Sequence, residues 1–195
     1  MIAEEAFYRA GGIAAAQAIL DPTLMLHESA TRATELERET GRAEAVISRY
    51  SVGQGDVMVI VSNSGRNAYP IEMAMAARER GATTIALTSL RHSTKTAARH
   101  PSGKRLFEIT DHVIDNGAEY GDSALSIPAR TVSMGPTSTI MGVFILNALL
   151  AEAVGELAQQ GVMIDVYQSS NRQDQGSTDA TDAIIARWRD RIVGL

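Results

Sequence analysis

The chain has 195 residues, no cysteine, and 18 Lys and Arg against 23 Asp and Glu, for a net charge of −5 at pH 7. That length can bury about 70% of the unfolded surface without cross-links, and the absence of cysteine excludes disulfides, thiolate zinc sites and cysteine nucleophiles. An acidic balance without a basic run argues against nucleic acid or an anionic membrane as the main partner. No uninterrupted apolar run approaches the roughly 20 residues of a bilayer span, and Met1-Ile2-Ala3-Glu4-Glu5 is no signal peptide, so a cytoplasmic globular protein is expected.

In chain order, residues 2–19 read as helix as far as Gly11-Gly12, where paired glycines end or kink it. Asp21-Pro22 starts a connection. Residues 24–50 carry Leu26, Ala30, Ala33, Leu36, Val46 and Ile47 at helical spacing, split in two by Gly41. The short β-branched run Val57 to Val61 has the pattern of a strand buried on both faces. It ends in Ser62-Asn63-Ser64-Gly65. A helix follows, with Asn67 as N-cap, Pro70 in its first turn and Gly81 at its C-cap. A second strand, Thr83 to Leu87, ends in Thr88-Ser89. Strand, helix, strand is the βαβ unit and predicts a parallel sheet.

Further strands are expected at His112 to Ile114 and Ala129 to Val132, and the longest apolar helix from Thr137 to Gln160. Val162 to Tyr167 reads as a strand or an extended loop, and residues 169–178 are polar. A terminal helix over Asp179 to Val193 puts Ile184, Ile185, Trp188 and Ile192 on one stripe, with Arg187, Arg189 and Arg191 on its solvated side.

The turn Ser62-Asn63-Ser64-Gly65 is the most informative segment. In an open parallel sheet ligands bind beyond the carboxyl ends of the strands, where a helix N-terminus offers unpaired N–H groups to an anion. Two serines add hydroxyl donors, and Gly65 permits close approach or positive φ. Thr88 and Ser89 bring further hydroxyls to the same rim. With no lysine present, the set suits a monoester phosphate held by neutral donors. Neither the nucleotide P-loop pattern nor the dinucleotide glycine fingerprint occurs. The plain alternative is a βα turn with capping residues.

The stretch Gly55-Asp56-Val57-Met58-Val59-Ile60-Val61-Ser62-Asn63-Ser64-Gly65, continuing through Ala74 to Thr88, resembles the core of the sugar isomerase (SIS) domain, whose S-x-S-G turn binds the phosphate of a phosphosugar. Met1-Ile2-Ala3-Glu4-Glu5 resembles the A-E-E helix of phosphoheptose isomerases. Gly135-Pro136-Thr137-Ser138-Thr139 resembles the start of the late helix that closes over the sugar. The likeness covers most of residues 1–150 and is closest to phosphosugar isomerases and phosphoheptose isomerase-like proteins. It implies an α/β fold, a three-layer αβα sandwich with a mostly parallel sheet in flavodoxin-like order. It also implies one domain over 1–195, with 162–195 as a C-terminal extension. The phosphosugar would be held by Ser62, Asn63, Ser64, Gly65, Asn67, Thr88, Ser89, Thr137 and Ser138.

The chain departs from the heptose isomerases at Met1 and near Leu146 and Asn147, where they carry histidines, which separates it from their reaction and from the zinc site of some members. It also begins after the helix, central strand and Gly-rich loop that open the domain. An N-terminal extension or a partner strand is therefore expected to cover the sheet edge.

An aldose–ketose isomerase needs a base beside the substrate carbon and a donor on the carbonyl. The resemblance makes Glu5 the first candidate for the base and Glu4 the second. His27 and Glu28 follow, on a segment that could reach a neighbouring subunit. His92 lies close behind Thr88-Ser89, while His100 and His112 have no motif around them. No metal-ligand spacing occurs, so neither metal nor other cofactor is expected. The readings left open are a sugar-phosphate isomerase, an etherase or lyase on an N-acetylmuramate 6-phosphate-like amino sugar, and a sensing module without catalysis. The partners expected are a sugar phosphate and further copies in a homodimer or homotetramer, with no nucleic acid and no membrane.

Overall fold

A computed structural model describes residues 1–128, 131–169, 171 and 177–195. The chain divides into two compact units, one of residues 20–142 and one that joins residues 1–19 to 143–195.

The unit of residues 20–142 is α/β, as expected. Strands β1 (Val57–Val61), β2 (Thr83–Thr88) and β3 (His112–Asp115) form a parallel sheet in the order β1-β2-β3. Parallel neighbours need a crossover, and α4 (Ala68–Glu79) supplies it between β1 and β2. Asn67, Pro70 and Gly81 stand where the sequence placed them, with Gly81 at φ +85°. The core gathers Ile60, Ile71, Ala74, Ala86, Leu106 and Ile109, with Met58 and Met75 against it. Gly41, at φ +84°, separates α2 (Leu26–Leu36) from α3 (Ala43–Ile47), and α3 packs on α4. Short α5 (Leu90–Ser93) follows β2.

Two expectations for this unit need correction. β1 is not buried on both faces: it is an edge strand, with Val57 61% exposed. The strand expected at Ala129 to Val132 falls partly on residues 129 and 130, outside the described residues. Beside them β4 (Leu125–Ser126) and β5 (Ser133–Met134) pair antiparallel, and Val132 belongs to neither.

The longest helix, α6 (Ser138–Gln159), matches its expected bounds to within a residue. By length and composition it is apolar enough to cross a membrane. Counting uninterrupted apolar residues hides this, because Asn147, Glu152 and Glu156 break the run while its average stays apolar.

In the unit of residues 1–19 and 143–195, α1 is only Ile2–Ala6. The expected helix stops early because Phe7 turns extended and Tyr8 takes φ +41°, which a helix cannot absorb. Residues 162–167 form an extended loop, with one antiparallel bridge from Val166 to Ile13. α7 (Ser177–Trp188) ends five residues short of the expected Val193, so Arg189, Arg191 and Ile192 lie beyond it; of the expected stripe, Ile184 is buried with Ala14 and Tyr167, and Ile185 and Trp188 pack against them. Arg187 is not simply solvated, because its Nη1 donates to both oxygens of Asp165 at 2.8 Å. Trp188 Nε1 donates to the same carboxylate, also at 2.8 Å.

Candidate functional site

The turn after β1 is stapled to the neighbouring strand ends. Ser62 N–H donates to Leu87 O at 3.1 Å, while Asn63 O accepts from Ser89 N–H at 3.1 Å and from Thr88 Oγ1 at 3.2 Å. Asn116, just past β3, donates its side-chain amide to Asn63 Oδ1 at 3.0 Å. Gly65 sits at φ +58°, and a Cβ there would lie 3.2 Å from Thr88 Oγ1. Its N–H donates to Ser62 Oγ at 3.2 Å. The turn is therefore held in one shape by β2 and the segment after β3.

What the turn leaves open is a set of donors. Among the described residues, the N–H groups of Asn63, Ser64 and Arg66 have no recorded acceptor, nor has the Ser64 hydroxyl. The proton of Ser62 Oγ is likewise free to donate, since that oxygen only accepts from Gly65. These groups lie at the carboxyl end of a parallel strand and the start of a 12-residue helix, where N–H groups and helix dipole both favour an anion.

Other residues of the expected set are used within the protein. Ser89 is fully buried, caps α5 by accepting from His92 N–H, and donates to Ala118 O at 2.6 Å. Thr88 holds the turn. Asn67 is the N-cap of α4, but its side chain does not cap: Oδ1 accepts instead from Arg99 Nη1 at 2.9 Å. The N–H groups of Thr137 and Ser138 donate to Asp122 Oδ1 at 3.0 and 2.9 Å, and the Ser138 hydroxyl bonds Oδ2. The start of α6 thus already holds a carboxylate of its own chain. Burial alone would push the Asp122 carboxyl up, but these donors and the His92 charge outweigh it and leave it below the usual carboxylate range.

Glu5 belongs to the other unit. It lines a cleft of about 530 Å³ with Arg9, Gly12, Asn147, Leu150 and Val166. Its carboxylate pairs with Arg9, and Oε1 accepts from Asn147 Nδ2 at 3.4 Å. Glu4 is exposed on α1, outside that lining. His27 and Glu28 stand in solvent on α2, their ring and carboxylate 3.6 Å apart. Among the described residues no group of three or more acidic or histidine side chains could hold a metal.

The sequence reading missed Asn116, Arg66 and Arg99. Asn116-Gly117 after a third parallel strand was a usable signal for the first. Arg66 was visible too, directly after the turn.

Residues 1–89 match the sequence profile of the SIS domain. A UPF0309 protein of Halalkalibacterium halodurans is 47% identical over 171 residues, 88% of this chain and 71% of that one. UPF0309 proteins of Geobacillus thermodenitrificans and Listeria innocua are 43% and 40% identical over 192 residues, 98% of this chain and 76% and 77% of theirs. Among solved structures, the Vibrio vulnificus NanR protein complexed with ManNAc-6P is similar over 78% of this chain and 43% of its own, with 16% identity and a TM-score of 0.37. An α/β unit with a parallel sheet and an S-x-S-G turn, together with the profile match, is that of a SIS-domain protein. Within that class the chain belongs to the UPF0309 family.

Proposed function

We propose that the protein binds a sugar phosphate through the Ser62–Gly65 turn and interconverts its aldose and ketose forms, with Glu5 as the base. The observation that carries the binding half is the open donor set of Asn63, Ser64 and Arg66 N–H with the Ser62 and Ser64 hydroxyls. Such a set matches three phosphate oxygens without a metal. For the chemical half, Glu5 removes the proton from the carbon beside the carbonyl, giving an enediolate; the adjacent hydroxyl proton passes to the former carbonyl oxygen, and Glu5 returns its proton to the former carbonyl carbon, leaving the new carbonyl next to it. Glu4 lies next to Glu5 and is the second candidate, and His27 and Glu28, exposed on α2, are the candidates for a role in a neighbouring copy.

A second reading, a phosphosugar-binding module without catalysis, is favoured by one observation: Asn147 stands on α6 near where the resembling isomerases carry a histidine. We further infer that α6 is a subunit interface of a homo-oligomer and that the protein works in the cytoplasm. In support of the interface, Ile140 and Phe144 are 70% and 66% exposed.

The test is a thermal-shift screen against hexose, heptose, pentose and amino-sugar phosphates, beside a Ser62→Ala, Ser64→Ala double variant. A ligand at a hundred times its Kd adds about 2.7 kcal/mol, a shift of a few degrees. Stabilisation by a sugar phosphate that the variant loses supports the binding reading; no shift with any phosphate refutes it. Deuterium exchange beside the carbonyl then separates isomerase from module.

A further inference from the structure

Arg66 follows the turn directly and precedes the N-cap of α4. The guanidinium groups of Arg9, Arg32, Arg42, Arg78, Arg80, Arg91, Arg105 and Arg187 each pair with a carboxylate. Among the described residues Arg66, like Arg38, Arg49 and Arg99, has no such pair, and its Nε, like that of Arg42, is shut off from solvent without an acceptor. A buried donor left unsatisfied costs about 1–3 kcal/mol.

The surroundings make that position more expensive. Burial and then the Arg66 charge push His92 below the ordinary imidazole range. Arg99 is likewise pushed down by burial, then by Arg66 and by Arg38. Arg99 is itself engaged: its N–H donates to Arg66 O at 2.7 Å and its guanidinium holds Asn67 Oδ1. The latter contact draws the N-cap side chain off α4, so no side chain closes the helix start. An uncapped helix start and an open turn share one end of the sheet, and Arg66 joins them in sequence with its charge felt by His92 and Arg99.

We propose that Arg66 is the cationic arm of the anion site at the Ser62–Gly65 turn, and that it selects a doubly charged phosphate monoester over a singly charged sulfate ester. This rests on the phosphosugar reading and deepens it. Neutral hydroxyl and amide donors fit either tetrahedral group almost equally, whereas a fixed guanidinium rewards the second negative charge.

The experiment titrates the full chain with methyl phosphate and methyl sulfate at about pH 8, where the phosphate monoester is doubly charged. It compares wild type, Arg66→Gln, and the Ser62→Ala, Ser64→Ala variant. Wild type should prefer the phosphate, and Arg66→Gln should lower phosphate affinity by at least about tenfold and bring the two affinities together. Unligated Arg66→Gln should melt at or above wild type, since it removes a buried Nε without an acceptor and a guanidinium without a carboxylate pair; a merely structural arginine would give the opposite. Wild-type phosphate affinity in Arg66→Gln overturns this inference alone, provided the serine variant loses binding. No methyl phosphate binding in wild type overturns the inference and its parent reading together. If Arg66→Gln does not fold, phenylglyoxal labelling of wild type, mapped by peptide mass, decides: methyl phosphate should protect Arg66 and leave Arg91 reactive, and an unprotected Arg66 overturns the proposal.

Discussion

Asn147 and Glu5, 142 positions apart, meet in one hydrogen bond, the Asn147 side-chain amide donating to Glu5 Oε1 at 3.4 Å. Arg9 pairs with the other oxygen of the same carboxylate. A helix glutamate with no task would be solvated; this one is oriented from two sides inside a cleft. As the base, Glu5 should lose two to four decades of deuterium exchange on mutation to Gln, the usual worth of a positioned general base. Sugar-phosphate binding should change little. Asn147→Ala should cost less, about tenfold, and in kcat more than in KM, because it only orients the carboxylate. Proton NMR of substrate in heavy water measures both. Wild-type exchange in Glu5→Gln would remove Glu5 from the mechanism.

The Ser62–Gly65 turn can be tested through its backbone as well as its hydroxyls. At Gly65, φ +58° disfavours a side chain, and a Cβ would crowd Thr88 Oγ1 at 3.2 Å and Leu106 Cβ at 3.4 Å. Gly65→Ala should therefore destabilise by about 1–3 kcal/mol in urea unfolding. Ser64→Ala removes a hydroxyl for which no partner is recorded, and should stay within about 0.5 kcal/mol of wild type. A benign Gly65→Ala would show that the turn can relax, contrary to its tethering by β2.

The start of α6 gives a pH signature through Asp122. Burial raises its carboxyl, but the donors from Ser138 and Thr137 prevail, so the folded value lies below the unfolded one. Its contribution is then present above the unfolded value near 3.9 and is lost as pH falls through the folded value. Asp122→Asn keeps a residue that tolerates the φ of +56° found here while losing the charge. It should lower stability by about 1 kcal/mol at neutral pH and flatten the acid-side decline. Urea midpoints at pH 7 and pH 3 check this; parallel acid profiles would mean the carboxylate is not what caps the helix.

The turn and its helix were legible because every determinant is local: a five-residue apolar run, two serines, a glycine, and Asn67 and Pro70 in sequence. The same locality explains what was not legible. The apolar run at Val57 is what a central strand would also show, so only the family resemblance pointed to a sheet edge at β1. Asn67 looks like a capping side chain until Arg99 arrives from 32 positions away to take its oxygen. Ser89 and Ser138 look like ligand hydroxyls until Ala118 and Asp122 claim them. Donor chemistry can be read from a sequence; whether a donor is already used is settled by chain returning from elsewhere.

The outer face of α6 leads to the last prediction. Ile140, Phe144, Ala148, Ala151 and Gly155 follow helical spacing, and all five are exposed. A large-residue end and a small-residue end suit antiparallel pairing with a second copy, the aromatic ring of one helix lying on the glycine end of the other. Such a contact is self-complementary and closes after two copies. Wild type should therefore sediment as a dimer or larger, and Phe144→Glu, which would bury a charge at the contact, should shift it to monomer. Because Phe144 is 66% exposed, its replacement should leave the thermal midpoint of a monomeric chain nearly unchanged. Sedimentation velocity across a dilution series measures the first and calorimetry the second. A wild-type chain that remains monomeric throughout would leave α6 without a second copy and refute the pairing.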